Sequence, residues 1–261
     1  YGKLGGFELG YCSDLDLVFL HDSAGEDERT DGARPLENAV FFARLAQRII
    51  HMLNTQTHSG VLYEVDVRLR PSGAAGLLVS SLTRYGDYQR TEAWTWEHQA
   101  LVRARSVAGD STIAEQFGAI RREVLGRARD EAQLKREVRE MRAKMRQELG
   151  SHEPGVFDIK QDEGGIADIE FMVQYLVLRW AHTYPELLVW PDNIRLLETS
   201  ARLGLLGKAE AEFLADAYRR LRAQVHRATL QELPAKCAPE VFAEVRSGVT
   251  GLWRRLLEDN Q

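Results

Sequence analysis

Apolar residues recur along this chain with two different periods, and the change comes near residue 110. Before it, short strand-like runs alternate with helices; after it, the spacing is close to 3.6 almost throughout. The first run holds Leu15, Leu17, Val18, Phe19 and Leu20, branched and aromatic residues that predict one buried strand over residues 15–20. The second alternates. Val61, Tyr63, Val65, Val67 and Leu69 fall on one face, and Leu62, Glu64, Asp66, Arg68 and Arg70 on the other. Pro71 then ends that strand or confines it to an edge. Between the two runs, Leu36, Val40, Phe41, Leu45, Ile49, Met52 and Leu53 lie at helical spacing behind Pro35, so a helix over 36–53 is expected to cover the sheet. Ser80 or Ser81 is placed to cap a short helix through Gln89. Residues 21–34, polar and acidic, read as a mobile surface loop, and 73–76 as a flexible one.

The remainder is helical. Residues 130–149 set Leu134, Val138, Met141, Met145 and Leu149 in one stripe, with Gly150 as a stop. Residues 166–181 are apolar around much of the circumference, which marks a central buried helix. Three more amphipathic helices are expected over 196–206, 209–233 and 241–257. The pattern therefore predicts an α+β fold: a small mixed sheet with helices over residues 1–107, then a mainly helical bundle over 108–261.

Composition narrows the function classes. The net charge of −5 supplies no broad positive field for nucleic acid, which weakens a template-copying polymerase reading. Two cysteines far apart, Cys12 and Cys237, do not make a disulfide framework, and a reducing cytoplasm fits them. No apolar run is as long as a membrane span.

The acids carry the candidate chemistry. At a strand's period of two, Asp14 and Asp16 project from one face, and two carboxylates side by side repel unless a positive charge lies between them. Mg²⁺ takes oxygen ligands and often shares them with substrate phosphates. If the second strand lies beside the first, Asp66 joins the pair, and Arg68 and Arg70 line the approach, where guanidinium forks suit phosphate oxygens. Solvated acids at a strand end and an exposed strand face of mixed charge are the alternatives. Gly2, Gly5, Gly6 and Gly10 suit a turn that comes close to a ligand, or a plain hairpin loop. His98, beside two tryptophans, reads as structural more readily than as a general base.

Gly5-Gly6 followed by Ser13-Asp14-Leu15-Asp16-Leu17, with a later strand aspartate, resembles the polymerase β-like nucleotidyltransferase superfamily. Longer strings are more specific: Tyr1-Gly2-Lys3-Leu4-Gly5-Gly6, Glu8-Leu9-Gly10-Tyr11, Val65-Asp66-Val67-Arg68-Leu69-Arg70-Pro71-Ser72-Gly73, Trp94-Thr95-Trp96-Glu97-His98-Gln99-Ala100-Leu101, Asp158-Ile159-Lys160, Asp162-Glu163-Gly164-Gly165-Ile166 and Asp168-Ile169-Glu170-Phe171. In that order they resemble the bifunctional glutamine synthetase adenylyltransferase/adenylyl-removing enzyme family, in its C-terminal, transferring half. Since Tyr1 already lies in the first string, an excised, N-terminally truncated piece of such a protein is expected.

The resemblance implies a nucleotidyltransferase using ATP and Mg²⁺ to place AMP on a tyrosine hydroxyl of glutamine synthetase. It implies Asp14, Asp16 and Asp66 as metal-holding catalytic residues, with Asp66 also considered as the base. Gly5, Gly6, Ser13, Arg68, Arg70 and Lys160 are implied around the nucleotide, and Arg103 or Arg105 near its triphosphate. The PII signalling protein and glutamine are the implied regulators of this multifunctional enzyme of nitrogen metabolism. Phosphorolytic removal of AMP and a catalytically silent nucleotide-sensing or scaffold module stay open; a small-molecule nucleotidyltransferase is more distant.

Overall fold

The computed structural model describes residues 1–11, 13–23, 25, 28–151 and 153–258. Cys12 and three positions of the 21–34 loop, residues 24, 26 and 27, lie outside the described residues. The chain divides into two compact units, Tyr1–Val124 and Leu125–Gln261.

The first unit runs α1 (Gly2–Gly5), β1 (Leu15–Asp16), β2 (Phe19–His21), α2 (Asn38–Asn54), β3 (Gln56–Thr57), β4 (Gly60–Val61), β5 (Val65–Asp66), β6 (Val79–Ser81), α3 (Leu82–Thr91), α4 (Thr95–Val102) and α5 (Ser111–Leu125). The strand expected over 15–20 is broken in two. β1 pairs in parallel with β5, whereas β2 pairs in parallel with β6. A run that changes partners cannot keep one ladder, so Leu17 and Val18 belong to neither strand. The alternating 61–69 run is divided as well, into the end of the β3–β4 hairpin and the two residues of β5. Beyond Asp66 the chain turns. Arg70 donates to the carbonyls of Val67 (2.8 Å), Ala74 (3.3 Å) and Gly76 (3.3 Å), so the segment expected to be a flexible loop is clamped.

Helix α2 packs on β5 and β6, but not by the face read from the sequence. Ala46 is buried and Phe42, Ile49, Ile50 and Leu53 are half-buried, while Val40, Phe41, Leu45 and Met52 are exposed. With Phe41 beside Phe42 and Ile49 beside Ile50, the helix is apolar on two sides, and periodicity alone could not choose between them. Ser81 caps α3 as its position suggested, accepting from the Arg84 amide at 3.2 Å.

The second unit holds α6 (Glu131–Leu149), β7 (Phe157–Asp158), α7 (Ile166–Trp180), α8 (Asn193–Arg202), α9 (Lys208–Leu230), β8 (Lys236–Cys237) and α10 (Ala243–Trp253). Helix α7 is buried on most of its surface and packs against α6, α8, α9 and α10, as its all-round apolar sequence requires. The antiparallel β7–β8 pair was not foreseen, because two residues are too few to show a period.

The acidic turn ahead of α7 has a structural cause. Arg142 of α6 and Asp168 of α7 form an ion pair at 2.6 Å with both side chains 1% exposed. Arg142 also donates to the Gln161 carbonyl at 2.6 Å, and Asp168 accepts from the Gly164 amide at 2.7 Å. Asp162 accepts from the amides of Ser151 (2.8 Å) and Asp158 (2.7 Å). Removing one partner of a buried pair strands the other charge in a poorly solvating interior. Asp168→Ala should therefore cost the second unit about 3–5 kcal/mol in urea unfolding followed by circular dichroism; a loss within experimental error would mean that Arg142 finds water or another acceptor.

Candidate active site

The β1–β5 register sets Leu15 opposite Val65 and Asp16 opposite Asp66. Main-chain bonds fix it on both sides: the Leu15 amide donates to the Glu64 carbonyl and the Leu17 amide to that of Asp66, each at 2.8 Å. Residues opposite each other in a ladder project to the same face, and so does the residue two positions earlier. The three predicted acids accordingly converge. One carboxylate oxygen each from Asp14, Asp16 and Asp66 lies within 4.8 Å of the others. Asp14 is exposed; Asp16 and Asp66 are half-buried.

Their environments differ. Burial pushes the Asp16 carboxyl above the ordinary aspartate range, and the charges of Asp14 and Asp66 push it the same way. Asp66 is held below that range by Arg68, which reaches it through Nε at 2.8 Å and Nη2 at 2.5 Å, while the Arg68 amide donates to Oδ1 at 2.7 Å. Arg68 is 79% exposed, so its side chain can leave this pairing without disturbing the core. Three converging carboxylate oxygen donors fit a hard divalent cation such as Mg²⁺.

The glycine turn is built around these acids. Gly2 has φ +53°, and a Cβ there would lie 1.9 Å from Asp16 Oδ2. No side chain fits that space, a requirement the run of four glycines in residues 2–10 does not by itself assign to Gly2. A Cβ on Gly5 would lie 2.0 Å from the Arg103 carbonyl oxygen, so the close approach at Gly5 is to the protein itself. The Gly5 and Gly6 amides donate to the carbonyls of Tyr1 (2.7 Å) and Gly2 (3.0 Å). Ser13 Oγ accepts from the Gly10 amide at 2.9 Å.

Arg103 and Arg105, expected near a triphosphate, brace this turn. Buried Arg103 pairs with Glu8. Arg105 donates to the carbonyls of Gly5 (3.1 Å) and Leu4 (3.2 Å) and lies over the Phe7 ring. His98 Nε2 meets the Gln89 carbonyl at 2.9 Å, a structural contact. Beside Asp16 a cavity of about 110 Å³ is walled by Leu17, Val18, Arg105 and Phe117. Lys160 lies in the second unit, exposed on the turn after β7, with its amide donating to Asp158 Oδ1 at 2.8 Å.

Residues 1–120 match the family model of glutamate-ammonia ligase adenylyltransferase, and residues 133–236 match that of GlnD PII-uridylyltransferase. The chain is 60% identical over all 261 residues to the bifunctional glutamine synthetase adenylyltransferase/adenylyl-removing enzyme of Thioalkalivibrio sulfidiphilus. It is 58% identical over 259 residues to the enzyme of the same name from Nitrosococcus oceani. The chain spans 27% of the length of each. Among the described residues no helix is long and apolar enough to cross a membrane.

The raised Asp16 carboxyl makes a prediction of known sign. An acid whose folded pKa lies above its unfolded value destabilises the fold once pH rises past both, and that cost fades as pH falls and the group takes a proton. With chelator present, Asp16→Asn should raise Tm by a few degrees at about pH 8, and the gain should vanish near pH 4. A lowered Tm at the higher pH, read by differential scanning calorimetry, would contradict the burial and charge repulsion that raise Asp16.

Proposed function

We propose that the chain, a member of the glutamine synthetase adenylyltransferase/adenylyl-removing enzyme family, moves AMP from ATP to a tyrosine hydroxyl of glutamine synthetase with release of pyrophosphate. The observation that carries this reading is the convergence of Asp14, Asp16 and Asp66 within one 4.8 Å cluster. It gains its specificity from the whole-length likeness to enzymes of that name.

Asp14, Asp16 and Asp66 would hold Mg²⁺, which when bound stabilises charge on the attacking and leaving oxygens of an in-line displacement at phosphorus. Two such ions fit the chemistry of this class of reaction. Asp66, kept low by Arg68, suits a metal ligand better than a proton acceptor. A guanidinium released from Asp66 would be free to meet the triphosphate, and Arg70, fixed by main-chain carbonyls, adds positive charge beside it. Gly5 and Gly6, at the end of α1, and Ser13, beside Asp14 in the chain, would shape the phosphate side of the site. Lys160 is assigned to the nucleotide on the strength of the resemblance.

The partner assignments follow from names. The relatives' name makes glutamine synthetase their protein substrate, and the match of residues 133–236 to a PII-uridylyltransferase family model supports PII as a regulator. The paucity of cysteine is compatible with the cytoplasm. The relatives' bifunctional name also supports removal of AMP as a second reading, since both activities are named in one protein.

The test uses ATP labelled at the α-phosphorus, Mg²⁺ and unmodified glutamine synthetase. The chain should transfer label to the synthetase, and Asp14→Asn and Asp66→Asn should each lower the rate about a hundredfold or more, the scale on which lost transition-state charge stabilisation is felt. Transfer that is equal in all three would end the metal assignment. Phosphate-dependent release of ADP from adenylylated synthetase, without transfer, would assign removal instead. Arg68→Ala should raise the KM for ATP about tenfold, the worth of one charge-assisted contact; an unchanged KM would leave Arg68 as the partner of Asp66 alone.

A further inference from the structure

Helix α2 lays one apolar face on β5 and β6 and leaves a second one in solvent. Phe41, Leu45 and Met52 stand at positions i, i+4 and i+11, which brings them into one stripe about three turns long. They are 41%, 44% and 73% exposed. A lone exposed leucine is ordinary, but a contiguous apolar stripe with a polar rim marks a surface that binds another molecule. Leu62 adds to it. The Tyr63 amide donates to the Leu53 carbonyl at 3.2 Å, which holds the exposed Leu62 beside the end of the helix.

The charge on this helix has one sign. Its 17 residues include no aspartate or glutamate, although the chain as a whole has a net charge of −5. Arg44, Arg48 and His51 follow at i, i+4 and i+7, so they form a second row beside the apolar one. All three are exposed, and neither arginine has an ion pair or a side-chain hydrogen bond among the described residues. Other arginines of the first unit are engaged: Arg68 with Asp66, Arg90 with Glu123, Arg103 with Glu8, and Arg105 with main-chain carbonyls.

We propose that this face of α2 docks an amphipathic helix of a partner protein, with an apolar row to cover Phe41, Leu45 and Met52 and acidic side chains to meet Arg44 and Arg48. Two helices packed lengthwise bring both pairs of rows together at once. The apolar row supplies affinity, and the arginines select the charge of the partner's flank. An anionic membrane surface offers the same two chemistries, but it would face the whole of a negatively charged protein and be repelled. A second copy of α2 would set arginines near arginines.

The test adds two synthetic helical peptides to the whole chain, labelled with carbon-13 at its methionine methyls. Both peptides carry the same row of leucines, flanked in one by glutamates and in the other by lysines. The glutamate peptide should bind saturably and shift the Met52 methyl signal, assigned with Met52→Leu. The lysine peptide should bind at least about tenfold more weakly. Arg44→Gln together with Arg48→Gln should weaken the glutamate peptide about fivefold, and Leu45→Ser about tenfold. Equal affinity of the two peptides, an unmoved Met52 signal, or undiminished binding by either variant would each overturn the proposal. So would self-association of the free chain that shifts Met52, or a Met52 shift with phosphatidylserine vesicles that neither peptide reproduces. Should a variant fail to fold, the two peptides on the unaltered chain decide the matter alone.

Discussion

Like charge held against like charge is the constraint around which the first unit is arranged. Asp16 and Asp66 sit opposite each other because β1 and β5 run parallel in that register, and Asp14 follows from the pleat. Left to themselves the side chains would turn apart. The main chain gives the strands no other alignment, and the Gly2 turn closes on Asp16 so tightly that a methyl group would collide with its carboxylate. Arg68 neutralises part of the charge from an exposed position, which leaves the cluster compact and reversible. A permanently buried cation would satisfy the acids and close the site to anything else.

The turn that frames the acids depends on residues nearly a hundred positions away. Arg103, paired with Glu8, and Arg105, bonded to Gly5 and Leu4 carbonyls, follow directly on α4 and hold α1 and its turn from the far side. Their positive charge thus acts through position. It fixes the backbone beside Asp16, where an arginine free to reach a phosphate would have left that backbone unsupported.

The second unit uses charge in the opposite sense. Arg142 and Asp168 are fully enclosed, and each is bonded in addition to a main-chain group of the turn between β7 and α7. An ion pair of this kind contributes little net stability relative to apolar residues, but it is unforgiving of the loss of either partner, so it dictates one path for the turn. That turn carries Lys160. A lysine presented on a stiff turn is a different object from one on a mobile loop, whatever ligand it meets.

Where a feature depends on residue type at short spacing, the sequence was sufficient. The pattern Asp14, Asp16, then Asp66 on an alternating run named all three clustered acids, and the all-round apolar stretch 166–181 named the central helix. The Asp14–Asp16 pair and the central helix are local statements, because pleat and helix period relate neighbours along the chain; that Asp66 joins the pair needed the pairing of β1 with β5. Tertiary structure decided what period cannot: that residues 15–20 serve two strand pairs, that α2 packs by Phe42, Ala46 and Ile49 while Phe41 and Leu45 face outward, and that Arg103 and Arg105 brace a turn. Arginine offers the same fork to a phosphate and to a backbone carbonyl, and a helix with two apolar sides can bury either one. Such choices are made only when distant parts of the chain arrive, and no local pattern contains them.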